Sequence, residues 1–137
     1  AQYCEITGER GFIRSGGLGA MGFGMGAAIG AALGEPERKT VLITGDGGFH
    51  MSLSELATLS RYNIPVVVIV MNNGVLGMVR QWQKVFYNGR FSVAGEARFK
   101  KALSMDKPVV IDCRIDPECA VLPMIPPGGD ITTAIYK

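Results

Sequence analysis

The feature that most constrains the fold is a strand–helix–strand pattern between Thr40 and Asn73. An apolar run ends at the glycine-rich turn GDGG (45–48), a helical stretch follows, and a second apolar run, PVVVIVM, ends at Asn72-Asn73. Two strands joined through a helix are expected to lie parallel, with their carboxyl ends at one edge of the sheet. The pattern therefore predicts that Asp46 and Asn73 lie together at that edge.

The rest of the chain fits an α/β fold, a doubly wound and mainly parallel sheet with helices on both faces. The apolar run in PVVVIVM is nearly continuous, which is typical of a strand covered on both faces. Ser52 and Glu55 form a capping box, which predicts that the helix after GDGG begins near Ser52. Four strands are predicted, at Phe12–Arg14, Thr40–Thr44, Pro65–Met71 and Val109–Ile115. Two later helices are predicted at Val75–Phe86 and Glu96–Leu103, and the proline-rich end of the chain is expected to be irregular.

Composition narrows the class of protein. At 137 residues with 47% hydrophobic content, the chain is expected to form a single domain over residues 1–137. A net charge of +2, scattered along the sequence, gives no indication of nucleic-acid binding. The three cysteines lack metal-ligand spacing, and Cys113 in an apolar run indicates a buried reduced thiol and a reducing compartment.

One segment has some properties of a membrane span. Residues 15–34 carry no charge, and glycines recur at every fourth position from Gly22 to Gly34, the spacing of packed transmembrane helices. The segment is poor in leucine and isoleucine and precedes a strand of an α/β pattern. We therefore expect a buried helix whose glycines allow close backbone approach, in a soluble protein without a membrane partner.

A dinucleotide-binding fingerprint overlaps this segment. Gly17-x-Gly19-x-x-Gly22 matches G-x-G-x-x-G, and Asp46 stands where a ribose-binding acidic residue would follow the next strand. Glycines flank Asp46 on both sides, which a ribose contact does not require. A Rossmann-type dinucleotide-binding fragment stays open as an alternative.

The GDGG turn lacks the lysine and serine or threonine of a P-loop, so a phosphate there would need a metal and backbone N–H groups. Asp46 and Asn73 offer the hard oxygen atoms that Mg²⁺ prefers, with one nearby backbone carbonyl, while Gly47 and Gly48 can present N–H groups before a helix. The alternative is structural: Asp46 capping a turn, and Asn72-Asn73 in left-handed turn positions. His50, the single histidine, is given no role.

These residues carry a resemblance to a known family. GDG, twenty-four residues and then NN resembles the thiamine diphosphate signature. SGGLGAMGFG, GVLGMVRQWQKVFYNGRFS and IDCRIDPE…VLPMIPPGG are similar to the C-terminal, diphosphate-binding domain of acetolactate synthase (acetohydroxyacid synthase) catalytic subunits. The likeness extends over nearly the whole chain, although the stretch between Ser92 and Pro108 is shorter than in that family.

The resemblance implies roles for individual residues. Asp46, Asn73 and the backbone oxygen of Val75 would hold Mg²⁺, and Gly45, Gly47 and Gly48 would face the diphosphate. Gly19 would contact the aminopyrimidine, and Met21 would lie beneath the cofactor and enforce its bent shape. Trp82 would shape the pocket for the second substrate, with Met78 near it. Gly77 and Met78 would also contribute to binding the cofactor. Met21 and Trp82 are therefore the catalytic candidates, although each is also an ordinary core or interface residue type.

The resemblance also implies a reaction and its partners. Pyruvate would be decarboxylated on the cofactor and the carbanion joined to a second 2-keto acid, a step of branched-chain amino acid biosynthesis. The family's N-terminal pyrimidine-binding domain, with its glutamate, and its FAD-carrying middle domain have no counterpart here. We therefore expect thiamine diphosphate and Mg²⁺ but not FAD to bind, and no acetolactate from the chain alone. A homo-oligomer in the cytoplasm, or in a plastid or mitochondrion, is expected; a stand-alone cofactor-binding module without turnover is the alternative.

Overall fold

The computed structural model describes residues 5–7, 11–92, 108–126 and 128–136. Within these ranges the fold is α/β, a doubly wound and mainly parallel sheet with helices. The strands are β1 (Thr40–Gly45), β2 (Val66–Asn72) and β3 (Val109–Arg114). The helices are α1 (Phe23–Gly34), α2 (Asp46–Met51), α3 (Glu55–Arg61) and α4 (Gly77–Phe86), with a short 3-10 turn at Ile131–Thr133.

The chain divides into two compact units. The first comprises Ala1–Asn72 with Phe99–Cys113, and the second comprises Asn73–Arg98 with Arg114–Lys137. The sheet belongs to the first unit apart from the last residue of β3, whereas α4 and the C-terminal stretch belong to the second.

The sheet has the order β1-β2-β3, and β1 and β2 are parallel. Their register pairs Thr40 with Val66 at one end and Gly45 with Met71 at the other. The two strands therefore end side by side, as the strand–helix–strand pattern predicts. β2 ends one residue later than the sequence predicts, at Asn72.

The core lies on one face of this sheet. Successive side chains of a strand point to opposite faces of the sheet. Every second residue of β2 is therefore buried in the core, namely Val66, Val68 and Val70. α1 packs against them through Met25, Ala28 and Ala32. Burying side chains of this size contributes roughly 1.5–3 kcal/mol each for valine or methionine, so this layer is the main apolar stabilisation of the first unit.

The other face of the sheet carries exposed apolar side chains. Ile43 is 62% exposed and Val41, Val109 and Ile111 are also exposed, while Val67 and Ile69 between them are half-buried. Within the described residues this part of the sheet surface is apolar and open.

The glycine-rich segment is a helix only from Phe23, and no helix among the described residues is long and apolar enough to cross a membrane. Close approach does occur, but at Gly24: an added Cβ there would lie 2.8 Å from Leu42 Cδ1. Gly26, Gly30 and Gly34 face outward with open space around their Cα atoms, so the prediction for these three is wrong.

The prediction that Ser52 and Glu55 form a capping box is also wrong. α2 begins directly at Asp46, and Ser52 ends it as C-cap, its hydroxyl donating to Gly48 O at 3.3 Å. α3 begins at Glu55, whose carboxylate accepts from Thr58 Oγ1 at 3.0 Å. The side chains that would have formed the box are therefore used in two different helices.

Other elements agree more closely with the sequence. α3 ends before Asn63, which has a left-handed φ of 50°, and Pro65 precedes β2. The turn after α4 is present, with Asn88 and Gly89 both at positive φ. Phe12–Arg14 forms no strand, and Cys113 is half-buried and free. The helix predicted at Glu96–Leu103 lies outside the described residues.

Candidate functional site

The first group of predicted site residues lies where β1 passes into α2. Gly45 is the last residue of β1 and Asp46 the first of α2, so the carboxylate stands at the carboxyl edge of the sheet. Asp46 is 2% exposed, and among the described residues it is the charged residue that is buried. A buried carboxylate is costly unless it is hydrogen-bonded, ion-paired or bound to a cation.

The sequence predicted that Gly47 and Gly48 lie just before a helix. In the structure they lie inside the first turn of α2. The first four N–H groups of a helix have no partner within that helix, so this turn can still offer backbone donors. Space is tight here: a Cβ on Gly48 would lie 3.0 Å from Thr44 Oγ1 and 3.9 Å from the backbone N of Gly22. The GDGG turn therefore lies close to the loop that leads into α1.

That loop carries Gly19 and Met21. Gly19 and Gly22 have φ values of 65° and 84°, which L-residues with side chains rarely adopt, so glycine is needed at both positions. The Ala20 N–H is held by Ser15 Oγ at 3.0 Å. Met21 stands just before α1 with an exposed side chain. The structure thus brings this loop and the GDGG turn together within the first unit.

The second group lies in the second unit, around Asn73. Asn73 Oδ1 accepts the N–H of Val75 at 3.2 Å, across Gly74 with its φ of 71°. Gly77 is packed against the same side chain, since a Cβ there would lie 2.7 Å from Asn73 Nδ2. Asn73, Val75 and Gly77 therefore form one local arrangement. Neither Asn72 nor Asn73 has a positive φ, so the left-handed-turn alternative for this pair is wrong.

Trp82 and Met78 lie on α4. The Trp82 ring packs edge-to-face on Phe86, with centroids 5.4 Å apart. A shallow cavity of about 520 Å³ opens beside it, lined by Val79, Trp82, Gln83, Tyr87 and Arg90. Met78 is exposed and is not part of this lining. The cavity is of small-molecule size, with an aromatic wall and one guanidinium.

Sequence reasoning missed a polar cluster on the same helix. Lys84 Nζ bonds Glu118 Oε2 at 2.7 Å, and Arg80 bonds Glu118 Oε1. Hydrogen bonds from Lys84 and then Arg80 lower the pKa of the Glu118 carboxyl from 4.5 to about 2. Gln81 bonds the backbone of Val121. The contacts join residues 34 to 40 positions apart, so no local pattern signals them.

The dinucleotide hypothesis lacks its structural context. A Rossmann fingerprint follows a strand and opens a helix, and Phe12–Arg14, which precedes Gly17-x-Gly19-x-x-Gly22, is irregular and exposed. Without that strand the glycine motif is an ordinary set of loop glycines. This sequence-based alternative is not supported.

Comparison with known proteins identifies the fold and the family. Residues 1–103 match the family described as "Thiamine pyrophosphate enzyme, C-terminal TPP binding domain". Among solved structures, a Rhodococcus jostii RHA1 thiamine diphosphate-dependent 4-hydroxybenzoylformate decarboxylase is similar with a TM-score of 0.64 and 27% identity, over 72% of this chain and 24% of that one.

Curated relatives point to one branch of that family. "Probable acetolactate synthase large subunit" proteins of Methanococcus aeolicus and Methanocaldococcus jannaschii are 40% and 42% identical, each over 98% of this chain. The acetolactate synthase large subunit of Lactococcus lactis is 40% identical over 93% of it. The chain spans about 27% of the length of each of these relatives.

The alignments with the two methanogen proteins run over 162 positions, more than the 137 residues of this chain. Those relatives therefore contain residues within the matched region that this chain lacks, in agreement with a shortened stretch. The family match and the similarity over nearly the full chain lead to one conclusion. The chain belongs to the thiamine pyrophosphate enzymes, as a C-terminal cofactor-binding domain of the acetolactate synthase type.

Proposed function

We propose that the chain binds the diphosphate of thiamine diphosphate through Mg²⁺ and forms the cofactor half-site of an acetolactate-synthase-like enzyme. Asp46, Asn73 and the backbone oxygen of Val75 hold the metal, and Gly45, Gly47 and Gly48 face the diphosphate. The parent enzyme acts on pyruvate and a second 2-keto acid. Family membership supports the cofactor, and the residue geometry supports the metal ligands.

The observation that carries the proposal is the pairing of Gly45 with Met71. Asp46 directly follows the first of these residues, and Asn73 comes two residues after the second. Parallel strands in this register send both chain continuations out at one edge of the sheet, which is where ligands bind in open α/β sheets.

The chemistry of the donors fits the metal. A carboxylate, an amide oxygen and a carbonyl are hard ligands, and Mg²⁺ takes such oxygens at roughly 2.0–2.1 Å while leaving positions for phosphate and water. The bond from the Val75 N–H fixes the Asn73 side chain with its oxygen toward Val75. Asn73 and the Val75 backbone therefore act as one preformed ligand loop.

Packing within the chain itself requires glycine at two of these positions. Any side chain at position 48 would meet Thr44, and one at position 77 would meet Asn73. The chain's own side chains therefore fill the space beside these two Cα atoms. The donors proposed for the phosphate are the N–H groups of the first turn of α2, which have no partner within that helix.

When bound, thiamine diphosphate supplies the electron sink for decarboxylation of a 2-keto acid. The chain's own residues bind and orient it. Met21 is exposed just before α1 and would offer an apolar surface beneath the cofactor rings. The Gly19 backbone would contact the aminopyrimidine. Trp82, with Met78 nearby on α4, shapes the space for the second 2-keto acid, whose carboxylate and short apolar chain suit a small pocket with an aromatic wall.

The proposal also includes self-association. The open apolar face of the sheet, formed by Val41, Ile43, Val109 and Ile111, is larger than a scatter of single exposed residues. Contiguous faces of this kind are typical of protein–protein contacts. A homo-oligomer would remove this face from water.

Substitution of the two side-chain ligands tests the proposal. Asp46→Asn and Asn73→Ala are each expected to abolish most Mg²⁺-dependent binding of thiamine diphosphate, measured by tryptophan fluorescence or calorimetry. Asp112→Asn, which removes the same charge from an exposed position on β3, is the matched control and leaves binding unchanged. Unchanged affinity in the Asp46 and Asn73 variants, with a native circular dichroism spectrum, would refute the assignment.

A further inference from the structure

The stretch Asp116–Met124, called the tail segment below, has no role in the function proposed above. It lies in the second unit and is bonded to α4 by a side-chain amide. Gln81 Nε2 donates to Val121 O at 3.0 Å, and the Val121 N–H donates to Gln81 Oε1 at 2.9 Å. The Gln81 amide thus pairs with the tail segment as a neighbouring strand would.

Two charged residues of α4 also hold the tail segment, one directly before Gln81 and one three residues after it. Arg80 Nε donates to Glu118 Oε1 at 3.1 Å, and Lys84 Nζ donates to Glu118 Oε2 at 2.7 Å. Glu118 is itself fixed, since its N–H donates to Asp116 Oδ1 at 2.9 Å. Arg80 also stacks on Phe91, with its guanidinium carbon 4.4 Å from the ring centroid.

α4 is held by contacts at its surface, which also include two hydrogen bonds between the Gln83 amide and the backbone of Ser92. It is ten residues long and none of its residues is buried. A helix of this length is marginal in water by itself, and its stability comes from tertiary contacts. Contacts with the tail segment therefore contribute to holding α4 in place.

The other end of α4 supports the ligand loop. The helix begins at Gly77, whose Cα is packed against the Asn73 amide, one turn before Gln81. The Asn73 oxygen in turn accepts the Val75 N–H. A helix fixed at Gln81 therefore fixes the backbone against which the Asn73 side chain rests.

We propose that the tail segment is a positioning element for the Asn73–Val75 ligand loop, and that Gln81 is the positioning residue that couples the two through α4. The part that concerns Mg²⁺ rests on the proposed function. The mechanical coupling between Val121 and Val75 does not depend on it, so the two can be tested apart.

The test uses the Gln81→Ala variant of the whole chain. Two quantities are measured: the rate of amide hydrogen exchange at Val121 and Val75, and the Mg²⁺ concentration that gives half-maximal binding of thiamine diphosphate. Exchange at both amides is expected to rise about tenfold, the scale of a lost pair of hydrogen bonds, and the Mg²⁺ requirement to rise several-fold. Gln81→Glu keeps the acceptor for the Val121 N–H and should recover part of each effect.

Asp130→Ala is the matched control. It removes a side-chain bond to the Thr132 N–H, 2.8 Å long, from the same C-terminal stretch but outside the tail segment. Exchange at Val75 and the Mg²⁺ requirement should stay unchanged. If Gln81→Ala does not fold, Glu118→Gln releases the tail segment through its ion pairs and is expected to act in the same direction.

Faster exchange at Val121 with no change at Val75 would overturn the proposal, because the tail segment would then be attached to α4 without positioning the loop. Faster exchange at Val75 supports the coupling even where the unaltered chain binds no thiamine diphosphate. In that case the proposed function fails and the positioning role does not.

Discussion

Glu118 gives the clearest electrostatic prediction at the scale of single residues. Its pKa in the folded chain is about 2 against an ordinary 4.5, with the hydrogen bond from Lys84 as the largest cause. A carboxyl whose pKa is lowered by folding stabilises the folded state fully above its unfolded pKa and loses that contribution as the pH falls through its folded pKa. The contribution is therefore complete above pH 4.5 and disappears toward pH 2.

The pKa can be measured by NMR titration of the Glu118 carboxyl carbon. We expect a midpoint near 2 in the unaltered chain and a clear upward shift in Lys84→Ala. Lys39→Ala, at an exposed position with no ion pair to Glu118, serves as the control and leaves the midpoint in place. An ordinary midpoint in the unaltered chain would show that the ion pairs do not form in solution.

At the scale of secondary-structure elements, α1 allows a matched comparison of two glycines. Gly30 faces outward with open space, so Gly30→Ala should stabilise the chain by about 0.5–1 kcal/mol, the difference in helix propensity. Gly24→Ala gains the same propensity but places a Cβ 2.8 Å from Leu42 Cδ1 in the core.

The overlap at Gly24 requires the Leu42 side chain to shift, which costs roughly 1–3 kcal/mol in a well-packed core. Chemical denaturation should therefore give a higher free energy of unfolding for Gly30→Ala than for the unaltered chain, and a lower one for Gly24→Ala. A loss of stability in Gly30→Ala at low protein concentration would mean that the outer face of α1 is covered in solution.

The helices also show which parts of the fold were predictable. β1 and β2 could be placed from their apolar runs, and Asn63 and Pro65 marked the end of α3, because these signals act over a few residues. The start of α2 at Asp46 was missed, since Ser52 and Glu55 match a capping box by spacing alone. The prediction of a strand at Phe12–Arg14 was wrong because two apolar residues and an arginine, without a neighbouring strand to pair with, do not form one.

The candidate site follows the same division. The positions of Asp46 and Asn73 could be predicted because each directly follows a strand, whereas their role as metal ligands stays a prediction. The packing of Gly77 against Asn73 could not be predicted, since only the folded backbone shows that a side chain at position 77 would not fit. Gln81 and Glu118 were missed because their partners are far away in the sequence.

At the scale of the whole molecule, the open sheet face predicts self-association. Ile43→Lys should shift the chain toward monomer in size-exclusion chromatography with light scattering, because a charge would have to be buried in the contact. Leu18→Lys changes a residue that is 98% exposed and lies off the sheet, so it should leave the assembly unchanged. A clean monomer of the unaltered chain at micromolar concentration would contradict this part of the proposal.

The most direct test of the central claim is a calorimetric titration of thiamine diphosphate into the unaltered chain, with and without Mg²⁺. We predict saturable binding that appears only with Mg²⁺, because the diphosphate would be held through a metal on Asp46 and Asn73 rather than by lysine or arginine side chains. Binding of equal affinity without Mg²⁺, or no binding with it, would refute the proposed metal site.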